Sequence, residues 1–298
     1  MHEWIRRVLY GYYYFKAIYN ISPKYGASKI FKRVFKRGID WDNPKLLQEK
    51  TYWLLFNTNT DLWTLCADKY RVRGFVKEKG LEEILTTLYG QWETVDDIDF
   101  NKLPDQFVLK ANNGCGSVIP VRDKSKLDEK SVKKTMKRWM KYRFGYCGSQ
   151  FHYTRIEPCI VAEQLLEEKG ETKALSPHSL VDYKIWCFNG EPECILVVFD
   201  RAPGFTQQMV FDLEWNDISP KVFDADYYKK PFPKPKNLDK MLEYARTLSK
   251  DFLEVRTDFY NINGKIYFGE LTFTAGYGDL SEDYYRYLGS RFKLPFEK

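Results

Sequence analysis

Residues 105–117, DQFVLKANNGCGS, join an apolar run that ends in a lysine to a loop with almost no side chains. Glycines let successive backbone N–H groups point inward and let an anion approach closely. A lysine at the end of a strand adds a point charge that attracts phosphate oxygens. The stretch therefore predicts a phosphate cradle, although a glycine-rich strand–turn–strand is often a plain hairpin. The residues of this cradle are Lys110, Asn113, Gly114, Gly116 and Ser117.

Three common nucleotide-binding motifs are absent from the sequence. There is no GxxxxGK[ST], which excludes a Walker A loop. The GxG of the loop lacks a third glycine and does not open a helix, which argues against a Rossmann site. There is no HRD or DFG, so the chain is not an ordinary protein kinase.

Two carboxylates lie in a predicted hairpin over residues 252–273, Asp258 in its first strand and Glu270 in its second. Two converging carboxylates repel unless a cation sits between them, and Mg²⁺ is the hard cation that also takes phosphate oxygens. The alternative is a surface hairpin whose acids are solvated.

The register of this hairpin decides whether the two acids converge. A two-residue Asn263-Gly264 turn pairs residue 262 with 265 and sends the acids to opposite faces. A three-residue loop instead places Arg256 opposite Glu270, with Asp258 and Thr272 on the same face. The sequence thus predicts a bulged or three-residue turn.

Other segments carry weaker signals for the same nucleotide. Lys184, in DYKIWCFNG, is either a further phosphate lysine or a strand-edge charge. The segment AEQLL is a candidate to contact adenine through its backbone N–H and C=O groups. Glu167, Glu168 or Glu171 is a candidate to accept hydrogen bonds from the ribose hydroxyls. Each of these segments and residues can equally well be an ordinary part of the protein surface. The cradle and the carboxylate pair are separated by about 150 residues and are expected to face each other across a cleft between lobes.

Length and composition indicate a two-lobed protein without a membrane span. The chain has 298 residues and a mean hydropathy of −0.53, and no apolar run approaches the ~20 residues of a spanning helix. The N-terminus lacks a secretory signal, which predicts a cytoplasmic location. Six cysteines without a CxxC pair and three histidines exclude a compact zinc site and indicate reduced thiols.

Positive charge concentrates in residues 1–38, where nine Lys/Arg stand against Glu3, a net +8 in a chain of net +6. Ten aromatic residues are interleaved with these charges. The pattern suits a peripheral contact with an anionic membrane surface, or equally a helical layer with a solvated basic face. Nucleic acid is the weakest partner, because the rest of the chain contributes no basic stripe.

The order of predicted elements indicates an α+β fold rather than a doubly wound sheet. Helices are predicted from Pro44 to residue 56, within 61–80 together with a turn, over 125–143 and over 238–252, and the polar segment 167–177 is the candidate hinge. The helix over 125–143 is expected to be basic and amphipathic, either a lobe helix with a solvated face or a calmodulin-type target. Strands are predicted on both sides of the glycine loop, at 159–166, and as hairpins in 181–201 and 252–273. The expected domains are 1–62, an N-terminal basic and aromatic helical segment, 63–168, a first lobe with the glycine loop, and 169–298, a second lobe with the carboxylate hairpin.

Five motifs occur in the order ADKYRVRGFV, LPDQFVLKANNGCGS, IVAEQLL, DYKIWCFNGEP and VRTDFYNINGKIYFGELTF. Together they resemble the TupA-like ATP-grasp family of cell-surface polysaccharide clusters, named for teichuronopeptide synthesis, from about residue 40 onward. The resemblance implies two α+β lobes with antiparallel sheets that sandwich ATP, and Mg²⁺ as cofactor.

The resemblance also implies roles for individual residues. Lys69 and Lys110 match the phosphate-binding lysines, and Asp258 and Glu270 match the Mg²⁺ carboxylates. Where many ATP-grasp enzymes have a ligating asparagine, this chain has Thr272, whose neutral hydroxyl is a weaker ligand. Asn113 stands where the family often has histidine, which alters a donor contact. The segment that matches the adenine contact is Glu163, Gln164, Leu165 and Leu166.

The family mechanism implies a carboxylate–amine ligase that acts through an acyl phosphate and needs no side-chain nucleophile. Lys184 and Arg256 would then be catalytic, and Arg201 would orient a substrate carboxylate. The family context suggests an amine or amino acid joined to a uronic-acid carboxyl of a small or lipid-linked saccharide, at the inner membrane face. The alternatives are a kinase of a glycan hydroxyl, a glycosyltransferase using the DAD at 224–226, and a non-catalytic scaffold.

Overall fold

The computed structural model describes residues 2–224, 227–275 and 280–297, and for residues 2–11 and 147 it describes the backbone alone. Two residues of the DAD segment, 225 and 226, lie outside the described residues. The chain forms two compact units. The first comprises residues 1–44, 52–72 and 87–165, and the second comprises 45–51, 73–86 and 166–298. The three-domain division of the sequence stays a prediction.

The elements follow one another as a mixture of helices and strands, as an α+β chain requires. The helices are α1 His2–Ile21, α2 Pro23–Phe35, α3 Leu47–Asn57, α4 Asp61–Ala67, α5 Val72–Glu78, α6 Glu129–Lys141, α7 Gly145–Gly148, α8 Phe151–Thr154, α9 Thr172–Leu175, α10 Ser219–Val222, α11 Leu238–Ser249 and α12 Glu282–Ser290. The strands are β1 Leu88–Trp92, β2 Phe107–Ala111, β3 Val118–Val121, β4 Ile160–Glu163, β5 Asp182–Phe188, β6 Glu191–Ala202, β7 Phe205–Phe211, β8 Glu254–Ile262 and β9 Lys265–Thr272.

The first unit contains a four-stranded antiparallel sheet in the order β1-β4-β2-β3. Helix α6 packs on this sheet through Val132 and Met136, which are buried with Phe107 and Leu109. The Asp128 carboxylate accepts a hydrogen bond from the backbone N–H of Ser131 and so caps the helix start. The predicted basic amphipathic helix is thus confirmed as a lobe helix with a solvated basic face.

The second unit contains a five-stranded antiparallel sheet in the order β7-β6-β5-β8-β9. Helix α11 packs against β5, β6 and β8. Alternation along β8 sends Val255, Thr257 and Phe259 to one face and residues 254, 256 and 258 to the other. Because all three residues of the second set are charged, with Glu254 and Asp258 buried and Arg256 partly buried, this face of the sheet is polar. Two antiparallel sheets with helices confirm the α+β prediction.

Two helix predictions need correction. The helix expected from Pro44 begins instead at Leu47, because the Glu49 carboxylate accepts hydrogen bonds from the N–H groups of Lys45 and Leu46, at 2.9 and 3.0 Å. The helix expected within 61–80 is two short helices, α4 and α5. Between them Asp68 accepts hydrogen bonds from the N–H groups of residues 70 and 71, which favours a turn over a continuous helix.

The N-terminal segment forms the helical pair α1–α2, as expected. Ser22 caps the start of α2 by accepting a hydrogen bond from the N–H of Tyr25, and Pro23 occupies the first turn, where its missing N–H costs nothing. Among the described helices, none is both long and apolar enough to span a membrane.

Candidate active site

The glycine loop connects β2 to β3, the two strands predicted to flank it. The N–H of Ala111 donates to the carbonyl of Ser117 at 3.0 Å and closes the loop. Asn112 anchors it to the chain near residue 158, because its Nδ2 donates to Glu157 O at 3.0 Å and its Oδ1 accepts from Cys159 N at 2.7 Å. Asn113 donates through Nδ2 to a backbone carbonyl at residue 142, at 3.0 Å.

The backbone N–H groups of residues 113–117 form no hydrogen bond to any other described part of the chain. Lys69 reaches the same loop, since its Nζ donates to the carbonyl of Gly114. Adjacent amides and a lysine at one concave turn are the chemistry that binds phosphate. The structure thus brings together Lys69 and the predicted loop residues.

Lys110 forms an ion pair with Glu163, Nζ to Oε2 at 2.6 Å. The two residues lie on neighbouring strands, β2 and β4, and Glu163 is 4% exposed. The N–H of Gln164 donates to the carbonyl of Thr87 at 2.9 Å, which holds the end of β4 beside β1. The segment proposed to contact adenine therefore begins at the acid that pairs with a proposed phosphate lysine, and Leu165 and Leu166 follow it, partly exposed.

The hairpin of β8 and β9 turns at Asn263-Gly264, with φ values of +49° and +88°, and pairs Ile262 with Lys265. The prediction of a bulged or three-residue turn is wrong for the turn itself, because the left-handed geometry of these two residues makes a two-residue turn. The irregularity lies instead at Gly269, where the register shifts by one residue. That bulge pairs Asp258 with Glu270 and Arg256 with Thr272, instead of Arg256 with Glu270.

The expectation that both acids share one face is confirmed, and Gly269 is the reason. Beyond the bulge every residue of β9 changes face, so Glu270 and Thr272 join Asp258. A Cβ at Gly269 would lie 2.8 Å from the carbonyl oxygen of Asp258, so only glycine fits there without a shift of the backbone.

Asp258 is the centre of a buried cluster of charges. Arg256 binds it through two hydrogen bonds, Nε to Oδ1 and Nη2 to Oδ2, both at 2.7 Å. Lys184 also donates to Asp258. Glu270 lies 3.7 Å from Arg256 Nη2 and accepts a hydrogen bond from Thr272 at 3.1 Å.

The sequence analysis missed Asp182, which belongs to the same cluster. It is buried, lies 3.6 Å from Lys184 and pairs with Arg201 Nη2 at 2.9 Å. In the sequence DYK the acid and the lysine are two residues apart, so both side chains lie on one face of β5. This spacing is the sequence signal that could have identified Asp182. The predicted substrate residue Arg201 is half-exposed and joins the cluster through Asp182.

Burial and neighbouring charges shift the ionisation of these groups. Burial opposes ionisation of Asp258, but Arg256 and Lys184 outweigh it and hold the pKa of that carboxyl below its usual value. Burial raises the pKa of Asp182, which Lys184 and Arg201 only partly offset. Asp258 is therefore an anion that already has two cationic partners.

The donor set fits a magnesium ion that also binds phosphate. Across the described residues, no cluster of three acidic, histidine or cysteine side chains could hold a metal alone. Asp258 and Glu270 offer two carboxylates, and Thr272 offers a hydroxyl. Mg²⁺ commonly takes one or two carboxylates and completes its coordination with substrate phosphates and water.

Among the glutamates considered as acceptors of hydrogen bonds from ribose, Glu168 already accepts hydrogen bonds from the protein. It is buried and accepts hydrogen bonds from Thr172 Oγ1 and from the N–H of Val181. Glu171 is exposed at the start of α9 and lines a shallow pocket with Lys169 and neighbouring residues. The ribose contact of Glu171 stays a proposal.

Comparison with solved structures finds weak similarity to ligases. A D-alanine–D-alanine ligase from Bacillus anthracis complexed with ATP is 15% identical, with 71% of this chain and 56% of that chain covered and a TM-score of 0.44. An ADP complex of purK, an N5-carboxyaminoimidazole ribonucleotide synthetase, is 11% identical, with 76% and 51% covered and a TM-score of 0.46. An L-amino acid ligase from Bacillus licheniformis is 17% identical, with 77% and 49% covered and a TM-score of 0.44.

This chain therefore spans between 49% and 56% of the length of these three proteins. No curated protein matches it. The family model of the TupA-like ATP-grasp proteins matches residues 48–293, most of the chain, and includes the glycine loop and the carboxylate hairpin. On this match, the chain belongs to the TupA-like ATP-grasp family.

Proposed function

We propose that the protein is an ATP-dependent, ADP-forming carboxylate–amine ligase. The observation that carries the proposal is the pairing of buried Asp258 with partly exposed Glu270 on one face of the sheet, together with Lys184 and Arg256. Acids and bases so placed suit a phosphoryl group and its cation. Membership of an ATP-grasp family supports the same conclusion.

The proposed reaction has two steps. A substrate carboxylate oxygen attacks the γ-phosphorus of ATP, the bond to the β–γ bridging oxygen breaks, and ADP leaves. The amine nitrogen then attacks the acyl carbon, inorganic phosphate leaves, an amide forms, and the amine proton passes to solvent. No side-chain nucleophile is required.

The residues of each unit have separate roles in the proposal. In the first unit Lys69, Lys110 and the amides of residues 113–117 bind phosphate oxygens. The segment 163–166, which begins in the first unit, contacts adenine. The first lobe is proposed to comprise residues 63–168 and the second lobe residues 169–298.

In the second unit, Lys184 binds phosphate and Arg256 steadies the acyl phosphate, while Arg201 orients the substrate carboxylate. Asp258 and Glu270 would hold Mg²⁺, with Thr272 as a weak third donor, and the ion would neutralise charge on the transferring phosphoryl group.

The proposed acceptor is a uronic-acid carboxyl of a cell-surface saccharide, as a sugar nucleotide or lipid-linked glycan, and the donor is an amine or amino acid. Arg201 supports a carboxylate substrate, since a guanidinium binds a carboxylate through two parallel hydrogen bonds. In the structure Arg201 Nη2 lies 2.9 Å from Asp182 Oδ2, so a substrate carboxylate would compete with Asp182 for this guanidinium.

The experiment is a screen of uronic acids and amines for ADP release, followed by labelling of the active carboxylate with ¹⁸O. An acyl phosphate transfers one ¹⁸O atom to inorganic phosphate, and we expect that transfer. A phosphorylated sugar without inorganic phosphate would instead identify a glycan kinase. Unlabelled phosphate would exclude the acyl phosphate.

A second proposal concerns the N-terminal helices, which would contact the anionic inner face of a membrane. Tyr13, Ile21 and Tyr25 are exposed on the α1–α2 pair, and Lys29 lies over the ring of Tyr25. Exposed aromatic and apolar side chains beside lysines suit the headgroup region of a lipid bilayer.

The membrane proposal is tested by sedimentation with phosphatidylglycerol vesicles. We expect the double substitution Ile21→Ser and Tyr25→Ser to reduce binding, while Phe205→Ser, at an exposed apolar position in the second unit, leaves binding unchanged. Equal sedimentation of all three proteins would remove the proposal.

A further inference from the structure

Glu254, the first residue of β8, is 1% exposed, and neither of its carboxyl oxygens has a hydrogen-bond partner among the described residues. Two other buried polar atoms on this part of the sheet also have none, Trp186 Nε1 and Thr274 Oγ1. Trp186 is paired with Arg256 across the sheet, and Thr274 follows β9 two residues after Thr272. Unsatisfied buried polar groups cost free energy, so three at one place call for an explanation.

The strand places two acids symmetrically about one arginine. Residues 254, 256 and 258 share a face of β8, so Arg256 has Glu254 two residues before it and Asp258 two residues after it. The guanidinium is bound to Asp258 by two hydrogen bonds of 2.7 Å. Burial raises the pKa of Glu254 well above its usual value, and the charge of Arg256 opposes that rise. Burial thus favours the protonated form of Glu254, while the charge of Arg256 favours the ionised form.

The neighbouring strand repeats this arrangement with a lysine. On β5, Lys184 donates to Asp258 and also lies 3.6 Å from Asp182, two residues before it. Both cations that bind Asp258 therefore have a second acid on their own strand, in the sequences DYK and EVR. The difference is that Asp182 already lies beside its lysine, whereas the carboxyl oxygens of Glu254 have no hydrogen-bond partner among the described residues.

We propose that Glu254 is a positioning residue that accepts Arg256 when a divalent cation occupies Asp258 and Glu270. The inference rests on the proposed function, which assigns the cation to those two acids. An oxygen of Asp258 that ligates a cation is no longer available to both bonds of Arg256, so the guanidinium needs another acceptor. Pairing with Arg256 leaves Glu254 ionised, and its proton passes to solvent. The five N–H donors of the guanidinium leave others to face the acyl phosphate.

In the same way, the ammonium group of Lys184 exchanges its contact with Asp258 for an ion pair with Asp182. The cluster thereby exchanges one set of ion pairs for another without leaving a buried charge unpaired, which would be costly. Trp186 Nε1 and Thr274 Oγ1 are further donors on the same part of the sheet for the ionised form of Glu254.

The test measures Mn²⁺ affinity by the electron paramagnetic resonance signal of free Mn²⁺, on the full chain without nucleotide. Glu254→Gln removes the ionisable carboxyl, and with it the negative charge that would pair with Arg256, with little change of volume. We expect binding to weaken at least about tenfold, equivalent to about 1.4 kcal/mol. Glu254→Asp keeps a carboxyl group and is expected to restore most of the affinity. Urea unfolding of each variant establishes that it is folded.

A double-mutant cycle with Arg256→Ala separates the proposed mechanism from a simple field effect. If Glu254 acts through Arg256, Glu254→Gln has no effect on Mn²⁺ affinity once Arg256 is absent. A loss of the same size in both backgrounds would mean that Glu254 attracts the cation directly, and the proposal would be wrong. An unchanged affinity for Glu254→Gln in the wild-type background would also overturn it.

Asp258→Asn distinguishes failure of this inference from failure of the proposed function. If that variant binds Mn²⁺ as tightly as the wild type, or the wild type does not bind Mn²⁺, the metal site itself is wrong and the inference falls with it. If Asp258→Asn weakens binding and Glu254→Gln does not, the metal site stands and the role of Glu254 is refuted.

Discussion

Replacing Gly269 by alanine tests whether one bulge sets the geometry of the carboxylate pair. The new Cβ would lie 2.8 Å from the carbonyl oxygen of Asp258, and 3.2 Å from the carbonyl carbon. Ordinary van der Waals contact begins near 3.5 Å, so the two strands must separate locally by about 0.7 Å. The obstructing atoms are backbone and cannot rotate away, as the end of a long side chain would.

Overpacking of this kind costs about 1–3 kcal/mol. Because Asp258 and Glu270 are the paired residues on either side of the contact, the same displacement separates the carboxylates. A misplacement of about 1 Å at a reacting centre can cost on the order of 100-fold in rate. We therefore expect Gly269→Ala to lose between about 10-fold and 100-fold in Mn²⁺ affinity and in ADP release.

The assay combines urea unfolding with Mn²⁺ titration. Gly74→Ala is the matched control, because a Cβ at that position in α5 meets nothing within 4 Å, and alanine is favoured over glycine inside a helix. It should leave Mn²⁺ affinity unchanged and stability equal or higher. Normal stability and normal affinity in Gly269→Ala would refute the argument, because the bulge would then tolerate a side chain and could not control the register.

Three further outcomes are expected. Lys110→Ala should lower the free energy of unfolding by about 1–3 kcal/mol because it removes the cation that forms an ion pair with the buried Glu163 carboxylate, and adding Glu163→Gln should recover part of the loss in the same urea assay. Glu254→Gln should be more stable than wild type at pH 8 and should lose that advantage toward pH 4.5. The reason is that burial raises the pKa of Glu254 in the folded state, so its bound proton stabilises the wild-type fold at low pH. That contribution is lost as the pH rises, and the glutamine variant does not lose it. Cys187 and Cys194, buried thiols whose pKa burial raises to about 12, should react with a disulfide reagent only after unfolding, as followed by mass spectrometry.

Much of the carboxylate hairpin could be predicted from local sequence. Asn263-Gly264 is a strong turn signal because both residues tolerate positive φ, and the alternation on each side gives the strands. Because Asp258 and Glu270 must converge to share a cation, an irregularity in the hairpin was predicted, and one is present. Its position could not be predicted, because the steric demand at Gly269 comes from a carbonyl on the partner strand, and local propensity does not reveal such a contact.

For the glycine loop, too, local features could be predicted from the sequence, whereas contacts with distant residues could not. The two flanking strands and the concentration of glycine were evident from the sequence, and Lys110 was correctly placed at a strand end. The hydrogen bonds by which Asn112 and Asn113 anchor the loop to chain segments about 30 to 45 residues away could not be predicted. Side-chain hydrogen bonds over that sequence separation form only once the unit has folded. Asp182 was missed for a similar reason, since its partner Arg201 comes within reach only when β5 and β6 pair.

The most direct test of the nucleotide assignment uses Cys115, an exposed thiol in the middle of the glycine loop. Its rate of alkylation is measured by mass spectrometry with and without saturating MgATP, using Lys110→Ala as the control with weakened phosphate binding. If the loop holds phosphates, MgATP should slow modification of Cys115 at least about tenfold in the wild type and much less in the variant. An unchanged rate in the wild type at a concentration of MgATP that demonstrably saturates the protein would contradict the assignment of this loop as the phosphate cradle.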